Sequence, residues 1–174
     1  MNSDLRYPIG KPEISPSIDD AGRQELIRSL AETPARLRAA IAGLDSTQLD
    51  APYRPEGWTV RQVVHHLPDS HMNAYVRFKL ALTEDVPTIK PYDEGLWAKL
   101  PDAKADVTPS LALLESLHSR WDSLLRGMSP DDFARRFKHP ELGTRSLDDT
   151  LQLYAWHGRH HVAHITSLRE RSHW

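Results

Sequence analysis

The stretch SLDDTLQLYAWHGRHHVAHITSLRER, residues 146–171, carries the pattern that decides the fold. Apolar or small residues recur along it every three or four positions, the spacing of one helix face, at Leu151, Tyr154, Gly158, Val162 and Ile165. Ser146 precedes this run, where its hydroxyl can accept a hydrogen bond from a free amide of the first turn. The sequence therefore predicts a long amphipathic helix from Ser146 or Leu147 to about Arg171.

Histidines are concentrated on this predicted helix. His157 and His161 are four positions apart and therefore lie on the same helix face. At about 100° per residue they lie roughly 80° and 40° from the centre of the apolar stripe, so both are predicted to point inward. His164 falls at the edge of the core face, whereas His160 is predicted to face away, near Trp156. A pair at this spacing can hold a metal ion, although such pairs also serve in capping, in stacking or on the surface.

Prolines divide the rest of the chain into runs in which helices can form, because proline removes a backbone donor and disfavours a helical residue before it. The predicted segments are an extended arm over 1–18, helix one over 20–44, a short helical turn over 46–49, a loop over 50–57, helix two from a Thr59 cap to about Leu82, a long loop over 83–109, helix three from Pro109 or Ser110 to about Gly127, a short helical piece over 129–133 and a loop over 138–144. Pro34 should bend or break helix one, and Pro68 should kink helix two just after His66. No strand pattern persists. Four long amphipathic helices predict an all-α four-helix bundle in one domain over 1–174.

The predicted loop over 83–109 is unusually long, since structureless loops beyond about 12–15 residues are uncommon in compact domains. It could cover a functional site, or it could be a plain surface connection between distant helix ends. Within it, Tyr92, Asp93 and Glu94 could border a pocket. Both interpretations of the loop remain open from the sequence.

Composition and charge exclude several classes of function. The chain has 22 Lys and Arg against 24 Asp and Glu, a net charge of -2, so there is no basic surplus to attract a nucleic acid. It has no cysteine, which excludes disulfides, thiolate metal ligands and a cysteine nucleophile, and which agrees with a reducing compartment. No apolar run has the length of a signal peptide or of a membrane span. We therefore expect a soluble cytoplasmic protein that binds neither nucleic acid nor membrane.

A second group of histidines lies on predicted helix two, at His65, His66 and His71. One helix seldom surrounds an ion alone, and bundle cores are where facing helices supply the remaining ligands. His71 lies near the centre of the apolar stripe and His66 roughly 120° away, so the periodicity favours His71. A kink at Pro68 would change the relative phase of the two positions. The pattern alone therefore does not decide which of these histidines joins His157 and His161.

Several segments of the chain resemble a known family, namely GWTVRQVVHHL at 57–67, DSHMN at 69–73, KPYDE at 90–94 and YAWHGRHH at 154–161. They are similar to the YfiT-type metal-dependent hydrolases of the DinB-like superfamily of four-helix bundles, and the similarity extends over 7–174. The resemblance implies that the histidine directly before Leu67 and the pair on the last helix hold the metal. These are His66, His157 and His161. It also implies one divalent ion per subunit, zinc or nickel, in a cytoplasmic homodimer.

Three neutral imidazoles leave coordination positions open for water or substrate, which is typical of a catalytic site. The leading hypothesis is therefore a metal-dependent hydrolase that activates water against a small-molecule substrate. Because relatives in the superfamily attach low-molecular-weight thiols such as bacillithiol or mycothiol to electrophiles, a metal-dependent thiol S-transferase is the first alternative. A non-enzymatic, metal-stabilised binding module is the second. Asp69, one turn beyond His66, is the candidate general acid or base, although it could instead support a ligand or be solvated.

Overall fold

The computed structural model describes residues 4–174, which form eight α-helices, one 3₁₀ turn and one β-hairpin. In chain order the elements are α1 Asp20–Ala31, α2 Thr33–Ile41, α3 Ser46–Leu49, α4 Val60–Thr83, α5 Glu94–Trp97, the 3₁₀ turn Pro101–Lys104, α6 Thr108–Arg126, α7 Pro130–Ala134, β1 Arg136–His139, β2 Gly143–Ser146 and α8 Leu147–Ser172.

Four helical columns form a bundle, with α1 and α2 together making one column. Both α4 and the α1–α2 column pack against α6 and α8, so these two columns lie diagonally opposite each other. The predicted four-helix bundle is therefore confirmed. Over the described part of the chain, no helix combines the length and the apolar character needed to cross a membrane.

The two helices that carry the clustered histidines begin at the predicted capping residues. The Thr59 hydroxyl accepts a hydrogen bond from the Gln62 amide at 3.1 Å, and the Gln62 side chain accepts one from the Thr59 amide at 2.9 Å. Ser146 and Asp149 form the same reciprocal pair at 3.0 and 3.1 Å. These capping boxes satisfy free amides of the first turn and fix where α4 and α8 start.

The two helix prolines act differently. Helix one is interrupted as predicted, because α1 ends at Ala31 and α2 begins at Thr33, with Pro34 in its first turn. The column also ends at Ile41, slightly before the expected Leu44. In contrast, α4 continues through Pro68 without a break, so the kink expected there stays a prediction.

A layer of histidines separates two apolar clusters within the bundle. One cluster includes Phe78, Trp121, Leu125, Leu151 and Tyr154, and the other includes Leu37, Val64, Leu67, Leu114 and Ile165. Along each helix, buried histidines fall between the two clusters: His71 on α4, His118 on α6 and His161 on α8. Apolar packing on both sides of this layer holds the imidazoles in place.

The hairpin formed by β1 and β2 corrects the expectation that the chain has no strands. Its register pairs Arg136 with Ser146 and His139 with Gly143. Each strand is only four residues long, too short for an alternating pattern to stand out from the sequence. Burial nevertheless alternates along β1, where Phe137 and His139 are buried, and Gly143 has the positive φ of 74° that the turn requires.

The predicted arm and the predicted long loop both pack on the bundle. In the arm, Ser15 exchanges two backbone hydrogen bonds with the Gln152 side chain of α8, at 2.8 and 3.1 Å. Residues 4–18 contain no helix or strand, and residues 1–3 of the predicted arm lie outside the described part. The 83–109 segment was expected to be a loop without regular structure, but it contains α5 and the 3₁₀ turn. It also pairs with β1 through a 3.0 Å hydrogen bond from the Ile89 amide to the Lys138 carbonyl.

Candidate metal centre

Three histidine side chains from two helices converge on one point. The Nε2 atom of His157 lies 3.3 Å from that of His66 and 3.2 Å from that of His161. One nitrogen from each ring can be chosen so that all three lie within 4.8 Å of one another. Ligand nitrogens bound tetrahedrally at about 2.0 Å from zinc would be about 3.3 Å apart. The spacing therefore fits a single shared cation.

The helices explain this convergence. His157 and His161 lie one turn apart on α8 in an edge-to-face arrangement, with ring centroids 4.4 Å apart and planes at 73°. His66 enters from α4, which packs directly on α8. Trp58, just before α4, lies 4.7 Å from the His66 ring and so covers one side of the group.

Burial keeps these imidazoles neutral. Desolvation lowers the pKa of His66 to about 4. Desolvation, followed by repulsion from neighbouring histidines, lowers the pKa of His157 and of His161 well below the ordinary value. Neutral imidazoles offer lone pairs to a cation, the protonation state that metal binding requires. The donor set therefore suits a divalent transition metal.

His71 is fully buried, as its place in the apolar stripe predicts, but it does not join the three converging rings. Its Nε2 atom lies 3.1 Å from Nδ1 of His157, on the side of that ring away from the convergence point. Its Nδ1 atom lies 2.8 Å from Nε2 of His118 on α6. The sequence analysis missed His118, because it is a single histidine within an ordinary leucine stripe and no spacing singles it out. The remaining histidine of this α4 group, His65, turns to Ser110 at 2.7 Å.

His160 lies beside Trp156 on the outer side of α8, as predicted, but the sequence did not show that it is buried. It is buried, stacked on Trp156 with centroids 4.2 Å apart, and the Tyr7 ring of the arm lies 5.8 Å from it. The arm covers the outer side of α8, which helical periodicity cannot reveal. His164 is also buried, and its Nε2 atom donates to the Arg6 carbonyl of the same arm at 3.2 Å.

A cavity of about 650 Å³ opens onto the three converging rings. Its wall combines histidines with aromatic and charged side chains, including Tyr7, Tyr53, Trp58, Arg77, Tyr92, Glu94, His139, Glu141 and Tyr154. Among the three loop residues named above, Tyr92 and Glu94 line the cavity, whereas Asp93 caps α5 by accepting from the Leu96 amide at 2.8 Å. The 83–109 segment thus forms part of the site wall.

Asp69 does not line this cavity. It borders a small neighbouring recess, whose lining includes His65, His66, Glu94, Trp97 and Ala103. Burial, reinforced by repulsion from Asp102, raises the pKa of Asp69 to about 6. This recess also touches residues of the 83–109 segment, namely Glu94, Trp97, Ala98 and Ala103.

Sequence comparisons identify a family and close relatives of this chain. The sequence model of the DinB superfamily matches residues 29–165. A Bacillus mycoides (strain KBAB4) protein named "putative metal-dependent hydrolase" is 56% identical over 171 residues, which cover 98% of this chain and 99% of that one. A Bacillus cereus (strain 03BB102) protein of the same name is 55% identical over 172 residues, which cover 99% of both chains.

Solved structures share the fold. YfiT from Bacillus subtilis, described as a probable metal-dependent hydrolase with an unusual four-helix bundle topology, is 51% identical with a TM-score of 0.96, covering 98% of each chain. TT2238, a four-helix bundle protein, is 21% identical with a TM-score of 0.56 over 80% of this chain and 94% of that one, a likeness of fold alone. With a superfamily match over most of its length and relatives more than half identical end to end, this chain belongs to the DinB superfamily.

Proposed function

We propose that this protein is a metal-dependent hydrolase whose single divalent ion is held by His66, His157 and His161. One observation carries the proposal. Beside an open cavity, Nε2 of the neutral His157 ring lies 3.2 Å from Nε2 of His161 and 3.3 Å from Nε2 of His66. The names of the relatives, metal-dependent hydrolases, support the same reaction class. When bound, the ion would lower the pKa of water toward neutrality and polarise a substrate carbonyl.

The side chains of the cavity supply the other requirements of hydrolysis. Three protein ligands leave coordination positions free on the cavity side. Trp58 shields the rings from bulk water on one side. Burial raises the pKa of Tyr92, so its hydroxyl stays protonated and can donate a hydrogen bond to a substrate oxygen. The volume of the cavity suits a small-molecule substrate.

Several finer features belong to the same proposal. Zinc and nickel are the proposed ions because imidazole ligands suit both. The proposed setting is the cytoplasm, which agrees with the absence of cysteine, and the proposed assembly is a homodimer. Asp69 remains the sequence candidate for general acid or base, and its place outside the cavity favours a supporting role.

Elemental analysis of purified protein tests the ligand set. Wild type should contain about one zinc or nickel per chain, and His157→Ala should lose it, because two imidazoles bind far more weakly than three. His173→Asn is the matched control, since His173 is exposed at the end of α8 in a left-handed conformation that asparagine tolerates. Equal metal content in wild type and His157→Ala would contradict the proposal.

Activity is tested with a panel of small esters and amides, assayed before and after chelation. Hydrolysis should disappear with the metal and return when zinc or nickel is restored. The same panel, run with an added low-molecular-weight thiol and analysed by mass spectrometry, separates hydrolysis from thiol transfer. A thiol adduct in place of the hydrolysed product would favour the S-transferase.

A further inference from the structure

A chain of hydrogen bonds runs through the histidine layer and ends at the proposed metal site. Nδ1 of His118 lies 2.8 Å from the Leu30 carbonyl oxygen. Nε2 of His118 lies 2.8 Å from Nδ1 of His71. Nε2 of His71 lies 3.1 Å from Nδ1 of His157. Three helical columns, α1, α6 and α4, are thereby linked to α8 through three imidazole rings.

The starting point of this chain is fixed by Pro34. In a continuous helix, the carbonyl of Leu30 would accept from the amide four residues later. That residue is Pro34, which has no amide hydrogen. The interruption between α1 and α2 therefore leaves the Leu30 carbonyl open to a side-chain donor, and His118 supplies it.

The direction of every hydrogen bond follows from that carbonyl. A carbonyl oxygen only accepts, so Nδ1 of His118 must carry the hydrogen. In a neutral imidazole the other nitrogen is then an acceptor, so Nδ1 of His71 must donate to Nε2 of His118. By the same step, Nδ1 of His157 donates to Nε2 of His71. Nε2 of His157 is left as a bare lone pair, aimed at His66 and His161.

We propose that His118 and His71 are positioning residues that lock His157 in its Nδ1–H form and so keep its Nε2 lone pair available for the metal. The value of the lock rests on the proposed function, in which His157 is a ligand. Without the hydrogen bonds of His118 and His71, a neutral His157 could carry its hydrogen on Nε2, and that nitrogen could then not bind the metal. Of the two ligands on α8, His157 alone has this support, since Nδ1 of His161 is buried without a hydrogen-bond partner among residues 4–174.

The direct test reads the position of each hydrogen. Long-range ¹H–¹⁵N correlation spectra of uniformly labelled, metal-free wild type near pH 7.5 distinguish Nδ1–H from Nε2–H imidazoles, and single-histidine variants assign the signals. We expect His118, His71 and His157 all to be in the Nδ1–H form. An Nε2–H form at any of the three would overturn the proposal. Because no metal is present, this result does not depend on whether the protein proves to be a metalloenzyme.

Substitution of His118, which touches none of the proposed ligands except through His71, gives a second test. His118→Gln keeps one donor for the Leu30 carbonyl and one acceptor for His71, whereas His118→Leu removes both. Zinc affinity, measured by competition with a chromophoric chelator, should stay near the wild-type value in His118→Gln and fall about 10- to 100-fold in His118→Leu. The Nε2–H form of His157 should become partly populated in His118→Leu alone.

A His118→Leu protein that folds, keeps His157 fully in the Nδ1–H form and binds zinc like wild type would overturn the proposal. If that variant does not fold, the wild-type spectra and His118→Gln still decide the question. If wild type binds no metal and yet carries hydrogens on Nδ1 of His118, His71 and His157, the proposed function fails. In that case the hydrogen-bond chain that fixes the form of His157 is still supported.

Discussion

At the scale of single residues, the histidines of the centre are arranged for a ligand rather than for stability. Nδ1 atoms of His160, His161 and His164 are buried without hydrogen-bond partners among the described residues. Each unsatisfied buried polar group costs about 1–3 kcal/mol. The proposed ion would bind Nε2 atoms and would leave these Nδ1 atoms unsatisfied, so the cluster lowers the stability of the fold.

The sequence could locate only part of this centre. The i, i+4 spacing of His157 and His161 is a property of one helix, so periodicity placed both on the inner face. The choice between His66 and His71 depends on how α4 and α8 face each other, which one sequence does not encode in its spacing. His66 came from the family resemblance, and the structure brings it to 3.3 Å from His157. His118 had no signal at all, because its role depends on contacts between four columns.

Replacement of Asp69 should separate a buried carboxyl from a catalytic one. The pKa of Asp69 is raised by burial, then by Asp102, to about 6, against 3.8 for an unperturbed aspartate. The folded protein thus holds a proton that the unfolded chain releases, so this residue lowers stability progressively as pH rises from about 4 to about 6. Asp69→Asn should therefore stabilise the protein at pH 7 by about 1 kcal/mol, after allowance for solvent screening, and little at pH 4.

Denaturant unfolding at the two pH values measures this difference. The exposed Asp85→Asn is the control for removal of a negative charge. An equal gain from Asp69→Asn at pH 4 and pH 7 would show that burial of its charged form is not the cause. Retention of hydrolytic activity in Asp69→Asn would in addition exclude Asp69 as the general acid or base.

At the scale of elements, the close approach of α2 to α8 depends on one glycine. A Cβ atom at Gly158 would lie 2.6 Å from the hydroxyl oxygen and 2.8 Å from the methyl carbon of Thr33. Thr33 is buried and cannot move aside freely. Periodicity reveals a small residue within the apolar stripe at position 158, but not the helix that it meets.

Gly158→Ala should therefore destabilise the protein by about 1–3 kcal/mol, the usual cost of overpacking. Gly127→Ala is the matched control, because a Cβ atom there would make only ordinary contacts of 3.6 Å. Thermal unfolding of both variants, and of Gly158→Ala combined with Thr33→Ala, measures the effect. If the Thr33→Ala background does not reduce the loss, a clash between these two residues is not its source.

Elements with strong local signals were predictable, and those fixed by long-range pairing were not. Capping boxes at Thr59 and Ser146 and the break near Pro34 are local, so the starts of α4 and α8 and the interruption of helix one follow from the sequence. The β1–β2 hairpin is short and is pinned by pairing of Ile89 with Lys138 from a distant segment. That pairing also explains why the 83–109 segment is ordered at the site wall.

At the scale of the whole molecule, the histidine layer makes the stability of the metal-free protein depend on pH. Burial lowers the pKa of His66, His118, His160 and His164 to about 4 in each case, against 6.5 for an unperturbed histidine. The unfolded chain therefore takes up protons between about pH 6.5 and pH 4 that the folded protein does not. Stability is fully present above this window and is lost as pH falls through it.

The free energy of unfolding of the metal-free protein should fall by about 1.4 kcal/mol per pH unit for each such histidine within the window. Chemical denaturation between pH 8 and pH 5 measures the slope, with the plateau above pH 7 as the internal control. Addition of zinc or nickel should raise the free energy of unfolding on the plateau above pH 7. The ion should be released in acid, because protonated imidazoles cannot bind it. A flat profile from pH 7 to pH 5 would contradict the burial of neutral rings.

Anomalous diffraction at the absorption edge of the metal, from crystals of protein purified without chelator, tests the central claim most directly. The account predicts one anomalous peak per chain, bonded to Nε2 of His66, His157 and His161 at about 2.0–2.1 Å, with the remaining positions open to the cavity. A peak held by other residues, or crystals grown with zinc or nickel in which these three nitrogens bind no ion, would contradict it.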